Sequence, residues 1–209
     1  MIRPTKLVLA SASPRRRDLL DAIDLGFTVL ATDVDEEAAA GDHQPADAAI
    51  AVASAKARAA GGAADTVVLA ADTMVVVDHR VLGKPRDEAD ARAMLVALRG
   101  RTHLVVTGVV VRTVDSEWTA AIESEVRMRA YSDEEVAAYV AAGGGRDKAG
   151  AYGIQDDPFL PVEAIQGCYC NVMGLPLWTA YRLLREAGCV APRRPGEALS
   201  RCAVCPMNG

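Results

Sequence analysis

Short apolar runs rich in β-branched residues alternate with alanine-rich stretches in which apolar positions recur at helical spacing. The runs predict strands over 6–10, 27–31, 66–77 and 104–111, with a partner strand for the last within 118–128. The stretches predict helices beginning at Ser13 and Ser132, over 45–61 and 87–98, and after Gly174-Leu175-Pro176. Strands and helices that alternate along the chain are typical of an α/β fold.

The chain changes character after Gly188. Residues 190–209 are rich in proline, arginine and small residues and show no apolar period. We therefore expect one folded domain over residues 1–188 and a flexible tail over residues 189–209.

Composition and charge exclude several classes of protein. Of the 209 residues, 51% are hydrophobic and 24% charged, the net charge is −5, and the aromatics are two Phe, five Tyr and two Trp. A general nucleic-acid binder needs a basic surface and stacking aromatics, so nucleic acid is not an expected partner. No stretch approaches the ~20 apolar residues that span a bilayer, and the apolar run over residues 7–10 is too short for a signal peptide. We expect a cytoplasmic protein without a membrane partner.

The cysteines all lie in the last quarter of the chain, and their odd number does not suggest a disulfide framework. Cys202 and Cys205 have the spacing of half a zinc site, and Cys168 and Cys170 could supply the other half. Reduced thiols on a loose tail are the favoured interpretation, and a zinc or redox protein is the weaker alternative.

Two polar clusters interrupt otherwise regular secondary structure, which is where functional sites are expected. Ser11, Ser13 and the arginines that follow lie at the turn into the first helix, where free backbone N–H groups and guanidinium groups favour a phosphate. An ordinary capped helix with basic residues facing solvent is the alternative. Asp72 interrupts the strongest strand and suits a general base or a metal ligand, unless it only closes a bulge or turn.

Two further clusters are less specific. Lys84 and Lys148 stand in glycine-flanked turns and Lys56 lies on the alanine-rich helix, although each alone is typical of a solvated charge. One of the acidic residues 35–37 could help to hold a divalent cation. The P-loop, dinucleotide-binding, nucleophile-elbow and zinc-protease signatures are all absent from the sequence.

Taken together, these clusters resemble the Maf family, the septum-formation-inhibitor-like nucleoside triphosphate pyrophosphatases. The similarity spans roughly residues 7–184 and is carried by these motifs in order: Leu9-Ala10-Ser11-Ala12-Ser13-Pro14-Arg15-Arg16, Lys56-Ala57, Ala71-Asp72-Thr73, Leu82-Gly83-Lys84-Pro85, Asp147-Lys148-Ala149-Gly150-Ala151-Tyr152-Gly153-Ile154-Gln155 and Val172-Met173-Gly174-Leu175-Pro176. The Ser-Pro-Arg-Arg and Gly-Ile-Gln forms resemble the branch that acts on dTTP and UTP.

The resemblance implies an inosine-triphosphatase-like fold, in which helices flank a mixed twisted sheet and two lobes enclose a central cleft. It implies hydrolysis of pyrimidine or modified nucleoside triphosphates to monophosphate and pyrophosphate, with Mg²⁺ or Mn²⁺ as cofactor and a homodimer as the assembly. Asp72 is the implied base and Glu36 the implied metal position. The implied specificity residues are Arg15, Thr73 and Gln155, and the implied phosphate or substrate contacts are Ser11, Ser13, Arg16, Lys56, Lys84 and Lys148.

The sequence departs from the family pattern at residues 156–161, at residues 168–171 and in the tail, for which we recognise no counterpart. The first departure directly follows Gln155 and bears on base preference. A protein that binds nucleoside triphosphates without turnover, as a regulator of cell division, is the functional alternative. Release of pyrophosphate distinguishes the two.

Overall fold

The structure is a computed structural model that describes residues 6–208. The strands are β1 (Lys6–Leu9), β2 (Thr28–Val29), β3 (Thr66–Val77), β4 (Arg80–Leu82), β5 (Thr102–Arg112), β6 (Glu117–Met128) and β7 (Val162–Gln166). The helices are α1 (Pro14–Asp21), α2 (Glu36–Ala40), α3 (Pro45–Ala59), α4 (Glu88–Leu98), α5 (Asp133–Ala141), α6 (Tyr169–Val172), α7 (Leu177–Glu186), α8 (Pro195–Ala198) and α9 (Ser200–Ala203), with a 3₁₀ turn at Ala149–Ala151. The first five residues, where the sequence does not indicate a signal peptide, lie outside this range.

The strands form one mixed sheet in the order β2-β1-β3-β5-β6-β7. β1 pairs in parallel with β2 and β3, whereas β3, β5, β6 and β7 pair antiparallel. β4 continues from β3 and pairs back onto its end. The mixed sheet flanked by helices confirms the predicted α/β fold.

One edge of β3 is covered at both ends and open in the middle. β1 pairs with residues 66–69 of β3, and β4 pairs with residues 75–77, while the opposite edge is paired with β5. Within the described part of the chain, residues 70–74 therefore have no strand partner on the first edge. Asp72 and Thr73 lie in this opening.

Helices cover both faces of the sheet because β3 and β5 carry buried side chains at consecutive positions, and successive side chains of a strand point to opposite faces. Leu69 and Ala71 belong to a core cluster with Leu20 of α1 and Leu184 of α7. On the other face, alanines of α3 pack against Val68, Ala70 and Val110.

α3 approaches β5 closely at Gly108. A Cβ atom at this glycine would lie 2.4 Å from the carbonyl carbon of Ala49 in α3. Such a distance is far below van der Waals contact, so only glycine allows the helix backbone to lie this near the strand.

The predicted long elements agree with the structure to within a few residues at their ends. Ser13 caps α1, and Ser132 with Glu135 forms the capping box of α5. One interpretation was wrong: Asp72 does not end or break a strand, because β3 runs continuously through it and pairs it with Gly108. The short elements α2, β4, β7, α6, α8 and α9 were not predicted.

The C-terminal segment, residues 189–208, packs on the core through α8 and α9. Cys189, Ala191, Cys202 and Cys205 are buried. The cysteine side chains are free thiols, and they are enclosed rather than exposed. The domain boundary at residue 188 and the flexibility of the tail stay predictions. Across residues 6–208, none of the helices has the length and apolar character needed to cross a membrane.

Candidate active site

A cleft of about 430 Å³ opens where β3 lacks its strand partner. Ten of the eleven residues predicted to form the site line it, although they come from six separate parts of the chain: Ser11, Ser13, Arg15, Arg16, Glu36, Lys56, Asp72, Thr73, Lys84 and Lys148. Five cationic side chains and three carboxylates face this space, so the cleft carries excess positive charge in an acidic protein.

Asp72 is held by Lys56. The two residues lie on the same side of the sheet, because Asp72 points from β3 toward α3, which carries Lys56. Lys56 Nζ lies 2.6 Å from Asp72 Oδ1 and 2.7 Å from Glu36 Oε1. Asp72 and Lys56 are both buried, so the ammonium group compensates a carboxylate that would be costly to bury alone.

Thr73, the next residue of β3, points to the opposite face and contacts Arg16. Thr73 Oγ1 accepts a hydrogen bond from Arg16 Nη2 at 3.0 Å and shares another with Thr107 Oγ1 at 3.0 Å. Arg16 also donates from Nε to the carbonyl oxygen of Gly174 at 2.7 Å and from Nη1 to Ser11 Oγ at 3.2 Å. These bonds use all three guanidinium nitrogens and fix the Arg16 side chain in one orientation.

The start of α1 supplies polar groups at one wall of the cleft. Ser13 is the N-cap and its Oγ accepts from the N–H of Arg16 at 3.5 Å, while Ser11 Oγ accepts from the N–H of Ser13 at 3.2 Å. The first turn therefore places hydroxyl groups and the positive end of a helix toward the cavity.

A second wall of the cleft contains an ion network around Asp147. Asp147 accepts from Arg15 at 3.1 Å and from Lys148 at 2.9 Å. Lys148 also lies 3.4 Å from Asp156. The exposed Lys84 is brought to this wall because the carbonyl oxygen of Gly83 accepts from the N–H of Gly150 at 3.0 Å.

The charges in the cleft shift several pKa values. Partial burial would raise the pKa of Glu36, but its hydrogen bond with Lys56 and the charges of Lys56, Lys84 and Arg16 bring that pKa below its ordinary value. Burial lowers the pKa of the Arg16 guanidinium, which the negative charges of Asp72 and Glu36 partly oppose. Burial likewise opposes ionisation of Asp147, but Lys148 and Arg15 bring its pKa below the ordinary value.

Gln155 is the predicted site residue that the structure does not bring to the cavity wall. Its side chain is exposed, although its neighbour Ile154 lines the cleft. The assigned roles of all eleven residues stay predictions, and Gln155 has the weakest geometric support.

Sequence reasoning missed four residues that shape the site. Asp147 joins Arg15 to Lys148, Tyr152 lines the cavity, and the carbonyl oxygen of Asn171 accepts from Thr107 Oγ1 at 3.1 Å. Two features of the sequence could have identified three of them. Asp147 and Tyr152 stand in the same motif as Lys148, and Thr107 is a polar residue inside a valine-rich strand. Asn171 gave no signal of this kind.

The donor set around Asp72 and Glu36 suits a hard divalent cation. Mg²⁺ binds through one or two carboxylates together with substrate phosphates and water, and these two carboxylates share one lysine. Across residues 6–208, no three His, Cys, Asp or Glu side chains are already arranged to hold a metal ion. The residues thus fit a cation that arrives with a phosphate ligand.

Comparison with known proteins gives the same assignment as the motifs. The family model "Maf-like protein" matches residues 6–187. The chain belongs to the Maf family. Among its Maf relatives, proteins called "dTTP/UTP pyrophosphatase" are 44% identical in Thermomicrobium roseum (96% of this chain, 93% of the relative) and 48% identical in Moorella thermoacetica (88% and 96%). A third, from Anaeromyxobacter dehalogenans, is 47% identical (90% and 96%).

The Maf chain also shares its fold with a solved structure of a HAM1 protein from Coxiella burnetii. The two chains are 16% identical, with a TM-score of 0.50, and the match covers 87% of this chain and 99% of the other. This likeness confirms the predicted fold.

The C-terminal segment of this Maf protein has a counterpart in at least one relative. The alignment with the Thermomicrobium roseum protein covers 96% of the chain, so it must extend into residues 189–209. The family model itself ends at residue 187.

Proposed function

We propose that the protein hydrolyses dTTP, UTP and modified pyrimidine nucleoside triphosphates to nucleoside monophosphate and pyrophosphate. The observation that carries the proposal is the position of Asp72, which stands beside Lys56 at the open edge of β3 in a cleft lined by five cations. Relatives that share 44–48% of their residues with this chain bear the name of this activity.

The cations and the first turn of α1 hold the triphosphate. A nucleoside triphosphate carries roughly four negative charges, and a cleft focuses positive potential even when the net charge of the protein is negative. Lys84 and Lys148 contact phosphate oxygens together with Arg16, and the hydroxyl groups of Ser11 and Ser13 donate to them.

Asp72 acts as the general base. Its Oδ1 atom is engaged by Lys56, which leaves Oδ2 to orient a water molecule. Asp72 takes a proton as the water oxygen bonds to the α-phosphorus, and the bond from that phosphorus to the bridging oxygen of the β-phosphate breaks. Pyrophosphate leaves with the bonding electrons, and the surrounding lysines stabilise its negative charge.

A divalent cation, Mg²⁺ or Mn²⁺, completes the site. Glu36 is the carboxylate that would hold it, together with oxygen atoms of the substrate phosphates. Such a cation neutralises charge on the phosphates and on the leaving group.

Arg15, Thr73 and Gln155 set the preference for the base. An amide donates and accepts hydrogen bonds at once, which matches the imide edge of uracil and thymine. Thr73 Oγ1 is already held by Arg16 and Thr107, so its position is fixed before a nucleotide enters. Exposed Gln155 would have to reach the base from the rim of the cleft.

The oligomeric state and the location in the cell are also part of the proposal. The resemblance to the family implies a homodimer, which light scattering of the purified protein tests directly. Location in the cytoplasm stays a prediction from the sequence.

Turnover of defined nucleotides tests the proposed function. Purified protein is incubated with dTTP, UTP, dCTP or GTP and Mg²⁺ or Mn²⁺, and pyrophosphate and monophosphate are measured. We expect release of both products in equal amounts, fastest with dTTP and UTP. Tight binding of these nucleotides without product would contradict the proposal and support the non-catalytic regulator, which no observation now favours.

A further inference from the structure

Four of the five cysteines meet at one place, outside the cleft and unused by the proposed function. Cys168 and Cys170 lie at the start of α6, and Cys202 and Cys205 lie in and just after α9. Cys170 Sγ is 3.3 Å from Cys202 Sγ. The Cys168 thiol interacts with those of Cys170 and Cys205, so the four side chains form one continuous cluster.

The cluster is enclosed and held by hydrogen bonds suited to anionic sulfur. All four side chains are at least 92% buried and none is in a disulfide. Backbone N–H groups of Cys170 and Asn171 interact with the Cys168 sulfur, and that of Met207 with the Cys205 sulfur. Outer N–H groups of this kind orient and stabilise thiolate ligands of a metal.

The spacing of the cysteines points to the same chemistry. Two short pairs, Cys-x-Cys and Cys-x-x-Cys, come from segments more than thirty residues apart. Tetrahedral zinc sites are commonly built from two close pairs, with two to four residues between the ligands of a pair. Cys202 and Cys205 have this spacing, and Cys168 and Cys170 are one residue closer together. A single disulfide would use only two of the four sulfurs and leave the other two without a role.

We propose that Cys168, Cys170, Cys202 and Cys205 bind one zinc ion, which fastens the C-terminal segment to the core. This proposal does not depend on the proposed catalytic function. Among residues 6–208, no three His, Cys, Asp or Glu side chains are already arranged to hold a metal ion, so zinc binding requires the thiols to move. With zinc–sulfur bonds of about 2.3 Å, the sulfurs of a tetrahedral site are about 3.8 Å apart. Zinc binding therefore requires the Cys170–Cys202 pair to separate by about half an ångström.

The surrounding contacts explain what the ion would stabilise. α8 and α9 have only four residues each, too few to be stable alone. α9 is held by the hydrogen bond from Trp178 Nε1 to the carbonyl oxygen of Cys202 at 2.9 Å and by the Arg201 guanidinium, 4.7 Å from the centre of the Tyr169 ring. The Arg201 charge also lies beside a site that four thiolates would make negative.

The metal content of the purified protein tests the proposal. The full chain is produced in zinc-supplemented medium and passed over a desalting column, and zinc is measured by mass spectrometry against protein concentration. We expect one zinc per chain. Cobalt added to the metal-free protein should give the absorption of sulfur-to-cobalt charge transfer and saturate at one equivalent.

Variants assign the ligands. Cys170→Ser and Cys202→Ser should each lose at least tenfold in zinc affinity. Cys189→Ser is the matched control, because Cys189 is buried in the same core but its pKa is raised by burial alone, without a thiol partner. This variant should keep one zinc.

Two results would overturn the proposal. One is wild-type protein that holds no zinc and takes up no cobalt although all five thiols react after unfolding. The other is loss of two hydrogen atoms in the intact mass, which indicates a disulfide instead. If the cluster variants fail to fold, the cobalt titration of the wild-type chain decides the question by itself.

Discussion

Lys56 contacts both carboxylates nearest the open edge of β3, Asp72 and Glu36, and lies buried between them. A single ammonium group therefore pairs with two carboxylates, and a bound phosphate or cation would redistribute these contacts. This arrangement allows a carboxylate to remain buried in the middle of a strand, where aspartate is disfavoured. At the scale of single residues, the site depends on this triad and on the fixed orientation of Arg16.

Replacement of Asp72 tests the assignment of the base. Asp72→Asn keeps the size of the side chain but removes its ability to accept a proton, so we expect kcat to fall by about 10²-fold or more with little change in KM. Steady-state kinetics with dTTP measure both parameters. Asp78→Asn is the control, since Asp78 follows the same strand but is exposed. Unchanged kcat in Asp72→Asn would exclude the role.

The contribution of Gln155 to base recognition appears in KM. Gln155→Ala should raise KM for dTTP and UTP by about tenfold while kcat changes less, because one lost hydrogen bond to substrate is worth about 1–1.5 kcal/mol. Gln166→Ala, another exposed glutamine, serves as the control. Identical KM values for both nucleotides in wild type and Gln155→Ala would show that Gln155 does not read the base.

At the scale of elements, the position of α3 on the sheet determines where Lys56 lies. The helix packs against β3 and β5 through small side chains, and Gly108 lets its backbone approach the strand. Lys56, one turn before the end of α3, reaches Asp72 only because of this close packing. The distance between helix and strand thus links core packing to the electrostatics of the cleft.

A methyl group at position 108 tests this link. Gly108→Ala would place Cβ at 2.4 Å from backbone atoms of α3, so we expect a loss of at least about 2 kcal/mol in the free energy of unfolding. Gly26→Ala is the matched control, since a Cβ there meets nothing within 4 Å. Urea denaturation of both variants measures the difference. Equal stabilities would contradict the close approach.

At the scale of the whole molecule, a buried histidine couples the sheet to the segment that lines the cleft. His103 of β5 forms a hydrogen bond of 2.7 Å with the hydroxyl group of Tyr152, a cleft residue. Burial lowers the pKa of His103 to about 4. The imidazole is therefore neutral in the folded protein over a pH range in which an unfolded histidine takes up a proton.

This difference makes folding stability depend on pH. Between about pH 6.5 and pH 4 the unfolded chain binds the proton and the folded chain does not, so stability falls as the pH falls, by up to about 3 kcal/mol from this group. Urea denaturation from pH 7 to pH 4 measures the loss. The loss should be smaller in His103→Gln and unchanged in His43→Gln, whose histidine is exposed. Equal losses in all three proteins would exclude His103 as the cause.

The sequence by itself determined the α/β class, the long helices and strands, and ten residues of the cleft. These features depend on residues that are close along the chain. Ser13 caps α1 and is followed directly by Pro14, and Asp72 is a charged residue in a run rich in valine and alanine. The order of the motifs along the chain also indicated the family. The resemblance therefore predicted a reaction that no single residue could have predicted.

Tertiary structure alone decided how these parts meet. The gap between β1 and β4, the contact of Asp72 with Lys56 and Glu36, and the convergence of the four cysteines join residues distant along the chain. Short elements such as α6 and α9 are stabilised by packing rather than by their own sequence, so periodicity cannot predict them. The same reason explains why the enclosure of the C-terminal cysteines was visible only in the folded chain.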